Sequence, residues 1–270
     1  MDYLARDTAT FSEDFWKSMD DAVVDAARRN LVGRKFLTIY GPLGPGMQSA
    51  PIDSPSKEEQ FDDGVVKTAG REYKEVAQVY DDFILLWRDI AASEKEGYPV
   101  DLTSAISCAE AVARREDKLI FFGSKNLGVQ GLTNAPGIGK IKRGDWSSGE
   151  GAYADVAKGL SMLNDKGYVG RYALLLSPDV YLSLQRIQQG TGVLEIDRIS
   201  KMVSGKVLHS TALGLKKALL VCCEPQYMDL VIGQDMAAAY LELTDLNHHF
   251  RILETILPRL KQPEAVVSFD

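Results

Sequence analysis

The sequence predicts an α+β fold in which two domains interleave along one chain and a long hairpin projects between them. Three observations carry this reading. Amphipathic helical patterns occur at SEDFWKSMDDAVVDAARRNLVG and at DLTSAISCAEAVARREDKLIFFG. Between them, PIDSPSKEEQFDDGVVKTAGREYKEVAQVYDDF is polar and extended, with too few large apolar residues for a core of its own. An αβαβ pattern then runs from AYADVAKGL to VLHS, and an alternating, strand-rich tail follows it.

The bulk properties bound the function. At 270 residues, 45% hydrophobic and 26% charged, the chain can bury one large core or two ordinary ones. A net charge of -7 and a pI near 5.1 exclude a sequence-independent grip on nucleic acid, which needs a surplus of Lys and Arg facing phosphates. No stretch approaches the roughly 20 apolar residues of a membrane span, and MDYLARDTATFSEDF lacks the apolar run of a signal peptide. A cytoplasmic setting with no membrane partner is the expectation. The three cysteines, Cys108, Cys222 and Cys223, have neither disulfide nor metal spacing and read as buried small hydrophobes.

Each element has a local cause. From Ser12, a spacing of about 3.6 puts Phe15, Trp16, Met19, Val23, Ala26, Ala27 and Asn30 near one helix face, and Gly33 can end that helix. Lys35 to Tyr40 is short, β-prone and bounded by Gly41 and Pro42, so it reads as a strand. The break GPLGPG follows, and the polar hairpin is expected to turn around Ala69 and Gly70. Asp101 or Thr103 caps the next helix, with Ala105, Ile106, Ala109, Val112 and Ala113 inward. The stretch from Gly123 to Gly151 is rich in loop residues and marks a boundary. The αβαβ segment beyond it predicts a second domain, and the tail is expected to return to the first.

The candidate chemistry is sparse. PGIGKI fails as a P-loop, because Asn134 stands where the first Gly is needed and Ile141 where a magnesium-binding hydroxyl is needed. GPLGPG fails as a dinucleotide fingerprint, since Pro42 and Pro45 remove donors and no helix starts there. His248 and His249, as strand neighbours, point to opposite faces and do not favour one metal. The acid pairs Glu58/Glu59, Asp62/Asp63 and Asp81/Asp82 read as solvated charge on the hairpin. No Ser or Cys has a nucleophile context. Trp87 in FILLWRDI reads as an anchor at the hairpin base, with stacking of a planar ligand as the alternative.

Six stretches in order carry a resemblance that spans nearly the whole chain: LARDTATFSEDFW, GRKFLTIYGPLG, LWRDI ahead of DLTSA, FFGSKNLGVQGL, VIGQDMAAAY and QPEAV. Together they resemble encapsulin, the shell protein of bacterial and archaeal nanocompartments. The resemblance implies an HK97-type phage capsid fold. A peripheral domain would take residues 1–48, 81–135 and 225–270, an extended loop 49–80, and an axial domain 136–224. It implies icosahedral self-assembly around cargo enzymes, commonly ferritin-like iron-handling proteins or dye-decolourising peroxidases, captured by a C-terminal peptide. The shell is not the catalyst. By position, the cargo-peptide residues would be Leu31, Arg34, Thr38, Ile39, Met236 and Ala238, and Thr38 stands where family chains often carry an acid. The pore loop would be Gln188, Gln189, Gly190, Thr191, Gly192 and Val193, which carries no charge. Some members bind flavin beside a Trp matching Trp87, but Val79 stands where an accompanying Arg would, so no cofactor is expected apart from that one alternative. The rival readings are a phage capsid protein, against which the short stretch before Phe11 argues, and an unassigned cytosolic enzyme.

Overall fold

A computed structural model describes residues 3–52, 57–188, 190, 192–204 and 206–270. In chain order, α1 (Glu13–Asn30), a single turn α2 (Gly33–Phe36) and β1 (Thr38–Tyr40) lead to an arm of β2 (Ser49–Pro51), β3 (Lys57–Gln60), β4 (Val66–Ala69) and β5 (Tyr73–Glu75). The chain returns through β6 (Ala77–Leu85), α3 (Trp87–Glu96), α4 (Thr103–Phe122), β7 (Gly123–Ser124) and β8 (Val129–Gln130). Next come β9 (Gly139–Ile141), α5 (Gly151–Asp165), β10 (Tyr172–Leu176), α6 (Pro178–Ser183), α7 (Glu195–Met202), β11 (Val207–His209) and β12 (Ala218–Cys222). The tail holds β13 (Met228–Ile232), β14 (Ala237–Thr244), β15 (Asn247–Leu260) and β16 (Val266–Phe269).

Two five-stranded sheets organise the molecule. The first runs β1-β13-β15-β14, with β6 along the other edge of β15, and it gathers strands from both ends of the chain. Helices α1 and α4 cover one face of this sheet. Ser12 caps α1 by accepting from the Phe15 amide at 3.2 Å, and Trp16, Met19, Val23, Ala26 and Ala27 are buried, as the spacing predicts. Asp101, one of two candidate caps, accepts from the Thr103 amide at 2.8 Å. Phe83 and Phe250 stack at 5.1 Å in the resulting core. The second sheet, β11-β10-β12-β16-β9, has β10, β12 and β16 buried at every residue. That is the pattern of strands covered on both faces.

Several expectations need correction. The tail does not all return to the first sheet: β16 pairs with β12 and β9 in the second, so the division at 225–270 fails for its last strand. All four of its residues are buried, which a slot between two strands allows, and the second sheet offers one between β12 and β9. The strand expected over 35–40 starts only at Thr38, because the Asp117 carboxylate accepts from the Val32 and Gly33 amides at 3.1 and 2.8 Å and starts α2 there. The hairpin turns at Phe61–Val65, where Phe61 N donates to Val65 O at 2.9 Å and Gly64 has φ 82°, rather than at Ala69 and Gly70. Asp62, Asp63 and Gly64 supply the turn chemistry.

Asp81 and Asp82 are ion-paired within the first sheet, not solvated on the arm. Arg251 donates to both Asp82 oxygens at 2.7 and 2.8 Å, and Arg115 reaches Asp81 at 3.1 Å. The break GPLGPG binds backbone: Leu43 N donates to Ile232 O and Gly44 N to Gly233 O, both at 2.9 Å. A Cβ on Gly41 would lie 2.2 Å from Ile232 O, so only glycine fits as the chain leaves for the arm.

Candidate functional site: a groove above a buried acid pair

A groove of about 420 Å³ opens on the helical face of the first domain. Val24 and Ala27 line it from α1 and Leu31 from the residue that follows that helix, and Met236, just ahead of β14, closes its far wall. Arg28 and Lys35 stand at the rim. Three of the six residues that the resemblance assigns to cargo binding meet here: Leu31, Arg34 and Met236.

The other three do not. Ala238 is fully buried between β14 and the helices, and its carbonyl accepts from Arg6 Nε at 2.9 Å, so its side chain cannot line a surface groove. Thr38 lies on the opposite face of the sheet, where its hydroxyl accepts from Arg171 Nη2 at 2.9 Å. Ile39 alternates back to the helical face, in the row of Leu230 and Pro258, and is 37% exposed outside the groove lining.

Arg34 is part of the floor rather than a contact held ready for cargo. Its Nε donates to the Glu116 oxygens at 3.1 and 3.0 Å, and Nη2 donates to Glu116 Oε2 at 2.7 Å and Glu254 Oε2 at 2.5 Å. Nη1 donates to Asp235 at 2.6 Å. Both glutamates have no solvent exposure. Burial, then the negative charge of Glu116, pushes the Glu254 carboxyl well above the usual carboxylate range. Burial opposes the charge on Arg34, but its bonds to Glu116 and the field of both glutamates outweigh that and hold it protonated.

Sequence reasoning missed this acid pair, although a signal was present. Glu116 and Asp117 follow Val112 and Ala113 by four residues and precede Ile120 and Phe121 by four, so they fall on the apolar stripe of α4. Glu254 likewise takes the inward parity set by Phe250, Ile252 and Ile256 on β15.

The remaining sequence-derived residues are distributed elsewhere. Trp87 begins α3 and is 42% exposed, with the Arg88 guanidinium 5.5 Å from its ring centre. It is therefore not the packed anchor expected at the base of the hairpin. The loop after α6 closes on itself, Gln188 N donating to Val193 O at 2.9 Å. Gly190 and Gly192 take φ of 80° and 67°, while Gln189 and Thr191 lie outside the described residues. All three cysteines are buried and unbridged, and burial pushes the Cys108 thiol up to about 12. Among the described residues, no three His, Cys, Asp or Glu side chains gather to hold a metal, and no helix is long and apolar enough to cross a membrane.

This architecture is that of a capsid-type shell protein with the HK97 fold. A virus-like particle from Pyrococcus furiosus superposes with a TM-score of 0.74 over 95% of this chain and 99% of that one, at 22% identity. The capsid of Myoviridae phage XM1 superposes at 0.63 over 88% and 90%, at 12% identity, a likeness of fold alone. The chain belongs to the Linocin M18 family, described as encapsulating protein for peroxidase, whose pattern matches residues 1–257. It is 38% identical to the type 1 encapsulin shell protein of Myxococcus xanthus, over 100% of this chain and 96% of the relative. Its role is thus to build an encapsulating shell, not to catalyse.

Proposed function

We propose that the shell takes up an enzyme of the peroxidase or ferritin-like class, held by a short apolar peptide that lies in the groove of Val24, Ala27, Leu31 and Met236. The observation that carries this reading is an apolar groove with a charged rim on a subunit whose family encapsulates protein. Burying two or three aliphatic side chains contributes roughly 1.5 to 3 kcal/mol each before ordering costs, so one site is weak. An oligomeric cargo facing many subunits turns weak sites into retention by avidity.

On the same reading, residues 49–80 form an arm that contacts neighbouring subunits, residues 136–224 with β16 gather around a symmetry axis, and the loop from Gln188 to Val193 borders a pore there. Exposed Leu182, Ile187 and Leu215 in that domain support burial by neighbours. Co-expression with a peroxidase carrying and lacking a C-terminal apolar extension tests the proposal. Retention only with the extension supports it, and equal retention of both defeats it.

A further inference from the structure

Where the arm leaves the first sheet, one guanidinium joins four strands and segments. Arg259 on β15 is paired in register with Asp229 on β13, and both are nearly buried. Its Nε and Nη2 donate to the two Asp229 oxygens at 2.7 and 2.6 Å. Lys261 Nζ holds the same carboxylate at 2.8 Å and the Pro225 carbonyl at 2.7 Å, which fixes Asp229 from a second side. Nη1 points the other way and donates to the carbonyl of Pro51 at 2.9 Å. The ring of Tyr40, the last residue of β1, lies 5.0 Å from the guanidinium carbon.

Pro51 ends β2, the outgoing strand of the arm. The rest of the arm's seat is apolar: Ala50 and Val76 pack on Val231 and Leu257. Apolar burial is non-directional, so it holds the root down without setting its direction. A planar fork with two donors locked on Asp229 has one orientation left for the third.

We propose that Arg259 is the positioning residue that sets the direction in which the arm leaves the subunit, and thereby the angle at which neighbours join. This rests on the reading of residues 49–80 as an assembly arm. The returning chain from Val65 to Glu75, which pairs with Ser49 at the root, can reach up to about 33 Å at ~3.3 Å per residue, so a tilt of about 10° at the root moves the tip by about 6 Å. That exceeds the ~4.5 Å range of a side-chain contact. A change at Arg259 therefore acts on where neighbours meet, not only on how stable one subunit is.

The test compares Arg259→Lys with a chain whose arm tip, residues 57–69, is replaced by a short Gly-Ser link. Particle diameters are read by electron microscopy and subunit folding by circular dichroism. Lysine keeps the charge but cannot hold Asp229 and Pro51 in one plane. Arg259→Lys should give folded subunits whose particles lose the single wild-type diameter, spreading into other sizes and open fragments. The tip-replaced chain should give folded subunits and no shells. If Arg259→Lys alone forms wild-type shells while the tip-replaced chain forms none, the positioning role is overturned and the arm reading stands. If the tip-replaced chain forms wild-type shells, both fall. Tyr40 is 52% exposed, so Tyr40→Ala spares the core and decides the matter should Arg259→Lys not fold. Spread diameters support the proposal, and a single wild-type diameter overturns it.

Discussion

Glu116 and Glu254, on a helix and a strand far apart in sequence, bind the same guanidinium, Arg34, with Nη2 at 2.7 and 2.5 Å. Two buried acids on one cation make folding depend on pH. Glu254 has its carboxyl raised above 4.5 in the folded subunit, so the stability it contributes is fully present below that pH and is lost as pH rises through the raised value. Glu254→Gln keeps an acceptor for Arg34 and removes the titration. Its melting temperature is expected to fall less than that of wild type as pH rises above 4.5. Arg34→Met leaves the buried Glu116 and Glu254 carboxyls without their cation and should cost about 3 to 5 kcal/mol in urea unfolding.

Asp117 links the two domains. Besides starting α2, its carboxylate accepts from the Ser210 hydroxyl at 3.0 Å, beside the second sheet. Burial pushes this carboxyl up to about 6, although three donors point at it. The sign matches that of Glu254: the contribution present below 3.8 is lost as pH climbs through about 6 and changes little beyond. Asp117→Asn should flatten that window. It should also cost about 1 to 3 kcal/mol at neutral pH, since the buried amides of Val32 and Gly33 meet a weaker acceptor. In a double-mutant cycle with Ser210→Ala, non-additive melting free energies are expected, and additive ones would remove the link.

What could be read from the chain follows the physics of each element. The helices α1 and α4 were legible because caps and apolar periodicity are local, and the second domain because its αβαβ pattern is local too. The destination of β16 was not, because a short buried strand has the same pattern in either sheet. The groove was half legible. Leu31, Arg34 and Met236 came from the resemblance, but Ala238 and Thr38 required knowing which sheet face each side chain takes, and a register settles that only in three dimensions. The two glutamates under Arg34 were present as acids on apolar stripes, a signal whose partner lies on a remote element.

The burial of Ala238 changes what its substitution reports. Ala238→Asp places an unpaired charge in the core of the first domain and should reduce soluble, folded subunit rather than cargo alone. Val24, 37% exposed in the groove, is the better probe. Val24→Asp on the helix surface should shift subunit stability by no more than about 1 kcal/mol, within the effect of helix propensity and local charge. Co-purified cargo should drop several-fold while shells still sediment as wild type. Unchanged cargo at unchanged shell yield would move the binding site away from this groove.

The arm tip gives the most direct test of assembly. Strands β3 and β4 pair over four residues, from Lys57↔Ala69 to Gln60↔Val66, and a two-stranded ribbon of that size is marginal in water by itself. Phe61, Val65 and Val66 stand 48 to 53% exposed around its turn, between charged residues that keep the free edge from pairing at random. Their own subunit leaves about half of each side chain uncovered. If a neighbour covers them, the half of each that is still exposed contributes on the order of 1 kcal/mol to association, multiplied across every contact of the shell. Val66→Asp touches no core, so the thermal unfolding of dissociated subunits should stay within about 0.5 kcal/mol of wild type. Sedimentation of the same sample should show subunits or small oligomers in place of shells. Full shells at the wild-type yield would mean that the tip points into solvent and that assembly draws its energy from the arm's root and the second domain instead.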